Sequence, residues 1–237
     1  MTGSEFAGVY PGTSALRIPF GFQLSFDRPF HGGFGNLPLT WEIPFLQGLA
    51  RRGIAVDVST SRDLHFQPPS ADNYRLLAFA GHHEYWTDSM RTNVETFVKS
   101  GSNVAFFTGN TCWWQIRLSK DGTNLLCYKV AGFDPVSTTS DHRLTTVHWF
   151  DDLVKRPETT LAGASWLGEG GIYSDQEHRF IAKLPDHWAF AGTGLAQDAK
   201  FGGYSSKPDG EEDSSVVGTE SDRFQTGGPN GLTSPAN

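Results

Sequence analysis

Between Thr40 and Thr108 the chain alternates two hydrophobic periods, and few architectures accept that alternation. Thr40 stands as the cap of a helix running to about Arg52, with Pro44 tolerated near its first turn. Phe45, Leu46 and Leu49 share one face, and Gly53 ends the helix. A short strand, Ile54 to Val58, is expected next, then a second apolar strand at Leu76 to Ala80. Thr87 or Asp88 caps a helix with Met90, Val94, Phe97 and Val98 on one face. Gly101 ends it, and Asn103 to Phe107 reads as a third strand. Helices alternating with short apolar strands predict an α/β fold: a parallel sheet flanked by helices and covered on both faces.

The flanks follow other rules. Residues 1–39 are rich in Gly, Pro and Phe, and one edge strand is expected between Leu16 and Phe26. After Gln115 the pattern is β-like, at Ile116 to Leu118, Leu125 to Tyr128, Phe180 to Leu184 and Trp188 to Phe190. This predicts a β-rich C-terminal extension. Gly192-Thr193-Gly194 reads as a structural turn. Residues 1–204 are expected to form a single α/β domain with β-rich insertions, and 205–237 a polar tail, poorly ordered or truncated.

Charge narrows the partners. The balance of 19 basic against 26 acidic residues gives −7, with no Lys/Arg run to make a nucleic-acid groove or an anionic-membrane patch. No apolar run reaches the roughly 18 residues a spanning helix needs. Met1 to Tyr10 shows no basic stretch followed by an apolar one, so a cytoplasmic protein is expected if that N-terminus is complete. Two cysteines, Cys112 and Cys127, are too few for a disulfide framework or a zinc ribbon.

In an open parallel sheet, ligands bind at the carboxyl ends of the strands. Three such ends carry polar or aromatic residues: Ser59-Thr60-Ser61-Arg62-Asp63, Gly81-His82-His83-Glu84-Tyr85-Trp86, and Thr108-Gly109-Asn110-Thr111-Cys112-Trp113-Trp114. The second is densest. His82, His83 and Glu84 suit general acid–base work or a divalent metal, and the Tyr85 phenol suits a ferric ion. The plain alternative is a helix-entry turn in which Glu84 and His82 satisfy backbone groups. Asn110 and Cys112 close the third end, and a Cys112 thiol paired with His82 or His83 would be a nucleophile and base for acyl transfer. A free cysteine beside two tryptophans is more often a small core residue. Trp41, Trp86, Trp113 and Trp114 either line a binding surface for an apolar or sugar-like ligand or belong to the core. The scattered histidines, His148 among them, read as surface or satisfied core residues.

These strings resemble, in order, the motifs of the N,N-dimethylformamidase large-subunit-like family. Gly81 to Trp86 resembles its "GHDEYW" signature, Ser25 to Phe30 its "SFDRPY" segment, and Trp41 to Pro44 its "WEYP" helix start. Phe106 to Arg117 resembles its "FFSGNTxYWQxR" strand and turn. Cys127-Tyr128-Lys129, Arg156-Pro157-Glu158 and His187 to Leu195 also match, so the resemblance covers roughly residues 24–222.

The resemblance implies a sheet like that of class I glutamine amidotransferases, beside further β domains or subunits. It implies hydrolysis of a small-molecule amide, assisted by a mononuclear iron held by two tyrosines and a glutamate. Tyr85 matches one of those tyrosines, with His82 and Glu84 as neighbouring candidate ligands. No tyrosine lies between Tyr10 and Tyr74 to serve as the second, and Glu158, Glu169 and Glu220 are the candidate glutamates. Two functions are therefore expected: a C–N hydrolase centred on His82, His83, Glu84 and Tyr85, or a non-catalytic aromatic module for carbohydrate or another small ligand.

Overall fold

The computed structural model describes residues 22–27, 41–166, 179–202 and 222. It divides into two compact units, residues 1–165 with 223–237, and residues 166–222. The first unit is a mixed α/β structure. Strand β1 (Gln23–Ser25) precedes helices α1 (Glu42–Arg51) and α2 (Ser61–Phe66). Strand β2 (Leu76–His82), β3 (Tyr85–Thr87), helix α3 (Asp88–Lys99) and β4 (Asn103–Gly109) follow. Strands β5 (Trp114–Leu118) and β6 (Asn124–Leu126) and the short helix α4 (Thr159–Ala162) complete it.

The strands form two groups. β2 pairs with β4 in parallel, from Leu76 opposite Asn103 to His82 opposite Gly109. A mixed sheet runs β1-β6-β5-β3, in which β3 and β5 are parallel and β5–β6 and β6–β1 antiparallel. The chain therefore leaves one group and joins the other twice. It does so at His83–Glu84 after β2, and at Asn110 to Trp113 after β4. The two crossings lie side by side, because the His83 carbonyl accepts from the Cys112 N–H and the Glu84 carbonyl from those of Trp113 and Trp114.

Helix α3 keeps its expected cap and three of its four expected apolar positions, while Val98, expected on the same face, is 42% exposed. The Thr87 hydroxyl accepts from the Met90 N–H at 3.1 Å, a cap worth about 1 kcal/mol. Met90, Val94 and Phe97 are buried. Met90 and Val94 join Phe79, Trp86, Cys112, Val147 and Trp149 in the main apolar cluster, against which Leu77, Val104 and Phe106 of the β2–β4 pair pack. Arg91, on the same helix, is also fully buried. Its guanidinium donates to the carbonyls of Arg156 and Pro157, to Thr160 and to Glu95, and lies over the Trp149 ring. Five donors in a planar fork let it satisfy several acceptors at once, which is what makes its burial tolerable.

Four expectations need correction. Ile54 to Val58 forms no strand, and its apolar side chains Ile54, Val56 and Val58 are exposed. Among the described residues no strand pairs with it, and the Ile54 N–H instead donates to the Leu49 carbonyl. Ser59 to Asp63 is not a ligand loop at a strand end. Thr60 and Asp63 form a reciprocal capping box for α2, using the polar groups the sequence had offered to a site. Among the described residues the parallel pair is not fully covered: Leu76 and Phe107 are exposed, although Phe45 of α1 lies 5.1 Å from the Phe107 ring. Trp188 to Phe190 is a 3-10 turn rather than a strand. The edge strand is real but short, and the expected cap Thr40 lies outside the described residues.

The second unit contributes β7 (Phe180–Ile181) and β8 (Lys200–Phe201), an antiparallel pair. Of the polar segment 205–237, the structure describes only Asp222.

Candidate functional site

The first crossing places four polar or aromatic side chains where a parallel strand has just ended. Gly81 makes the approach possible. Its φ of 90° suits glycine, and a Cβ there would meet the Glu42 carboxylate, with Cδ at 2.7 Å. Glu42 thus reaches from the first turn of α1 to the end of β2, and its Oε2 is buried without a hydrogen bond among the described residues. Sequence reasoning had read Trp41 to Pro44 only as a helix start. The Trp41 ring lies 6.4 Å from that of His82.

His82 and Glu84 come together, and His83 turns away. His82 Nε2 is 3.0 Å from Glu84 Oε2, with side chains 31% and 13% exposed. An imidazole that gives its Nε2 proton to a carboxylate presents Nδ1 as the basic nitrogen. The mostly buried His83 bonds the Ala80 carbonyl at 3.2 Å and packs edge-on against Phe79. Burial holds its pKa down to about 4, so the ring stays neutral and serves as a structural donor.

Tyr85 faces a cation. Lys129 Nζ donates to Tyr85 Oη at 3.1 Å and lies 4.8 Å from the Trp114 ring. Lys129 had been noted only inside a matching string, and proximity to Tyr85 is what singles it out. His148 stacks on Trp114 at 3.7 Å. Burial first and Lys129 second, against Glu84, lower its pKa to about 4, and of the two readings the sequence left open, surface or core, the stacked and part-buried ring favours the core one.

The second crossing is closed. Asn110, Thr111, Cys112, Trp113 and Trp114 are all buried. Cys112 has no exposed surface, and burial pushes its thiol up to about 12, with Arg91 opposing. A thiolate there is unfavourable, so the nucleophile reading gives way to the core reading. Asn110 and Cys112 have φ of 52° and 54°, and the turn holds two side chains in the left-handed region. Trp86, Trp113 and Trp114 are core residues rather than an exposed sugar platform, and Trp41 is half-buried.

Further along the same string, Gln115 and Arg117 build scaffold. Gln115 donates to the Arg143 and Thr145 carbonyls, and Arg117 forms a two-pronged bond to buried Asp134 at 2.7 and 2.8 Å. Burial pushes the Asp134 carboxyl up, but Arg117 and Thr146 outweigh it and hold it below its ordinary value.

A comparison with protein families finds one whose description is N,N-dimethylformamidase beta subunit-like, C-terminal, matching residues 7–237. The chain belongs to this family. A comparison with curated proteins finds none that matches. Membership in a dimethylformamidase-like family places amide hydrolysis at the head of the candidate chemistries.

The iron implied by the resemblance can be tested against the donors. Among the described residues, no group of three or more His, Cys, Asp or Glu is gathered to hold a metal ion. The Tyr85 oxygen accepts from an ammonium, which repels a second cation. Glu158 is buried and accepts from Ser165, while Glu169 and Glu220 lie outside the described residues. Of the donor set the resemblance implies, the described residues include Tyr85 and Glu158.

Proposed function

We propose that the chain hydrolyses the C–N bond of a small amide at the His82–Glu84 crossing, on a sheet of the glutamine-amidotransferase type. What supports the reading is the His82–Glu84 pair, held at a parallel strand end in a chain of the dimethylformamidase-like family. Glu84 fixes the imidazole and stabilises its cation, and His82 Nδ1 takes a proton from water as the oxygen attacks the carbonyl carbon. The tetrahedral intermediate then collapses. The C–N bond breaks, the nitrogen takes the proton back from His82, and a carboxylic acid and an amine leave. No step uses a metal.

The test incubates the full chain with a panel of small amides, N,N-dimethylformamide first, and measures amine release with and without chelator. Release that persists in chelator and disappears in His82→Ala is expected. No release from any amide overturns the reaction. Release that depends on iron and is lost with the bound iron in Tyr85→Phe overturns the metal-free form.

A further inference from the structure

A buried oxygen that can accept a hydrogen bond and is offered none calls for a donor. Glu42 Oε2 is such an atom, buried and without a hydrogen bond among the described residues. We propose that the Glu42 carboxylate binds the nitrogen side of the substrate: first the N–H of a primary or N-monosubstituted amide, then the small alkylammonium that leaves. The inference rests on the amide-hydrolase reading for its substrate class, and on the placement of Glu42 for its location.

Glu42 opens helix α1, yet its carboxylate lies against the carboxyl end of β2. A Cβ added at Gly81 would stand 2.7 Å from Glu42 Cδ and 3.2 Å from Oε2. Glycine at that position leaves room for the carboxylate and takes the φ of 90° at little cost. Gly81 directly precedes His82, and Trp41, which precedes Glu42, has its ring 6.4 Å from that of His82. The acceptor and the proposed base therefore stand at one strand end.

An acidic residue in a first turn favours its helix, and a carboxylate out in solvent fills that role. The role needs neither a glycine on the facing strand nor a covered oxygen. Glu84, the other carboxylate at this end, is paired with His82, whereas Glu42 has no ion pair among the described residues. Glu42 as a whole is only half-buried. A carboxylate shares its charge over both oxygens, so a cation met on the accessible side compensates the charge held inside. An alkylammonium bearing N–H groups supplies the charge and the donor together. An N,N-dialkyl amide has no N–H, and a site built around an acceptor discriminates against the analogue that lacks the donor.

The probe is methylammonium chloride, titrated into the full chain at constant ionic strength with tryptophan fluorescence as the readout. Sodium chloride and tetramethylammonium chloride are the controls, the latter having the charge without an N–H. Methylammonium-specific binding by wild type is expected, weakened about tenfold or more in Glu42→Gln and Glu42→Met. Both variants should unfold at a midpoint no lower than wild type, because they remove a covered charge that has no partner. The kcat/KM preference for N-methylformamide over N,N-dimethylformamide should fall about tenfold in Glu42→Gln, and an unchanged ratio overturns the substrate class. Absence of methylammonium-specific binding by wild type overturns the proposal. So does unchanged affinity in the variants, and so does the failure of both to fold, which would assign the carboxylate to its helix. If one variant fails to fold, the other decides. Glu42-dependent methylammonium binding without turnover of any amide leaves this place standing and removes the reaction. Amide turnover with methylammonium affinity indifferent to both variants does the reverse.

Discussion

The two crossings between strand groups look alike in sequence and differ in what they expose. Each follows an apolar parallel strand, and each mixes polar groups with aromatics. At the first, His82 and Glu84 keep contact with solvent and Tyr85 meets a lysine. At the second, Asn110 through Trp114 are buried. The difference comes from their neighbours. The second crossing packs into the core, where Cys112 joins Trp86, Met90 and Trp149. Its polar groups are buried within the fold, whereas His82 and Glu84 at the first keep contact with solvent.

That contrast can be broken most severely at its ends. His82→Ala should lower kcat/KM on a turned-over amide by about 10²–10⁴ while the unfolding midpoint scarcely moves. Trp113→Ala should cost about 3–5 kcal/mol in chemical denaturation. A large stability loss in the first variant, or none in the second, would erase the distinction.

Acid sharpens it next. His83 and His148 both have pKa values depressed to about 4 by burial, from an ordinary value near 6.5. A depressed group stabilises the fold fully above its unfolded pKa, and that stability is lost as pH falls toward the folded value. Between pH 7 and pH 5 each should surrender about 2 kcal/mol. Denaturation midpoints at the two pH values measure this. His83→Gln and His148→Gln should each remove about half of the difference, and an unaltered pH dependence would mean these rings are not desolvated.

The smallest effect is expected at Cys112. Native protein should resist iodoacetamide there, since the buried thiol is pushed up to about 12. Cys112→Ala should cost about 1 kcal/mol and leave turnover per folded molecule unchanged. Rapid native alkylation of Cys112 that abolishes turnover would return the cysteine to the active site.

Much of the scaffold was legible locally. The caps, stops and apolar faces of α3 and the parallel pairing of β2 with β4 follow from near-neighbour chemistry, and the structure keeps them. Ile54 to Val58 was misread because an apolar run becomes a strand only where another strand accepts its hydrogen bonds. Thr60 and Asp63 were misread because the groups that bind a ligand also cap a helix. The site was half legible. The order of the motifs picked out His82 through Tyr85, but could not say that His83 turns toward Ala80.

The sequence by itself determined the family, the alternation of helix and parallel strand, and the strand end at which polar residues concentrate. Each of these is written in spacing and order along the chain. Only the tertiary structure decided that Cys112 is core, that Glu42 reaches Gly81, and that Lys129 meets Tyr85 across 44 positions. Burial and long-range contact depend on which segments pack side by side. That packing sets the local dielectric, and through it which of many similar polar residues keeps a usable charge.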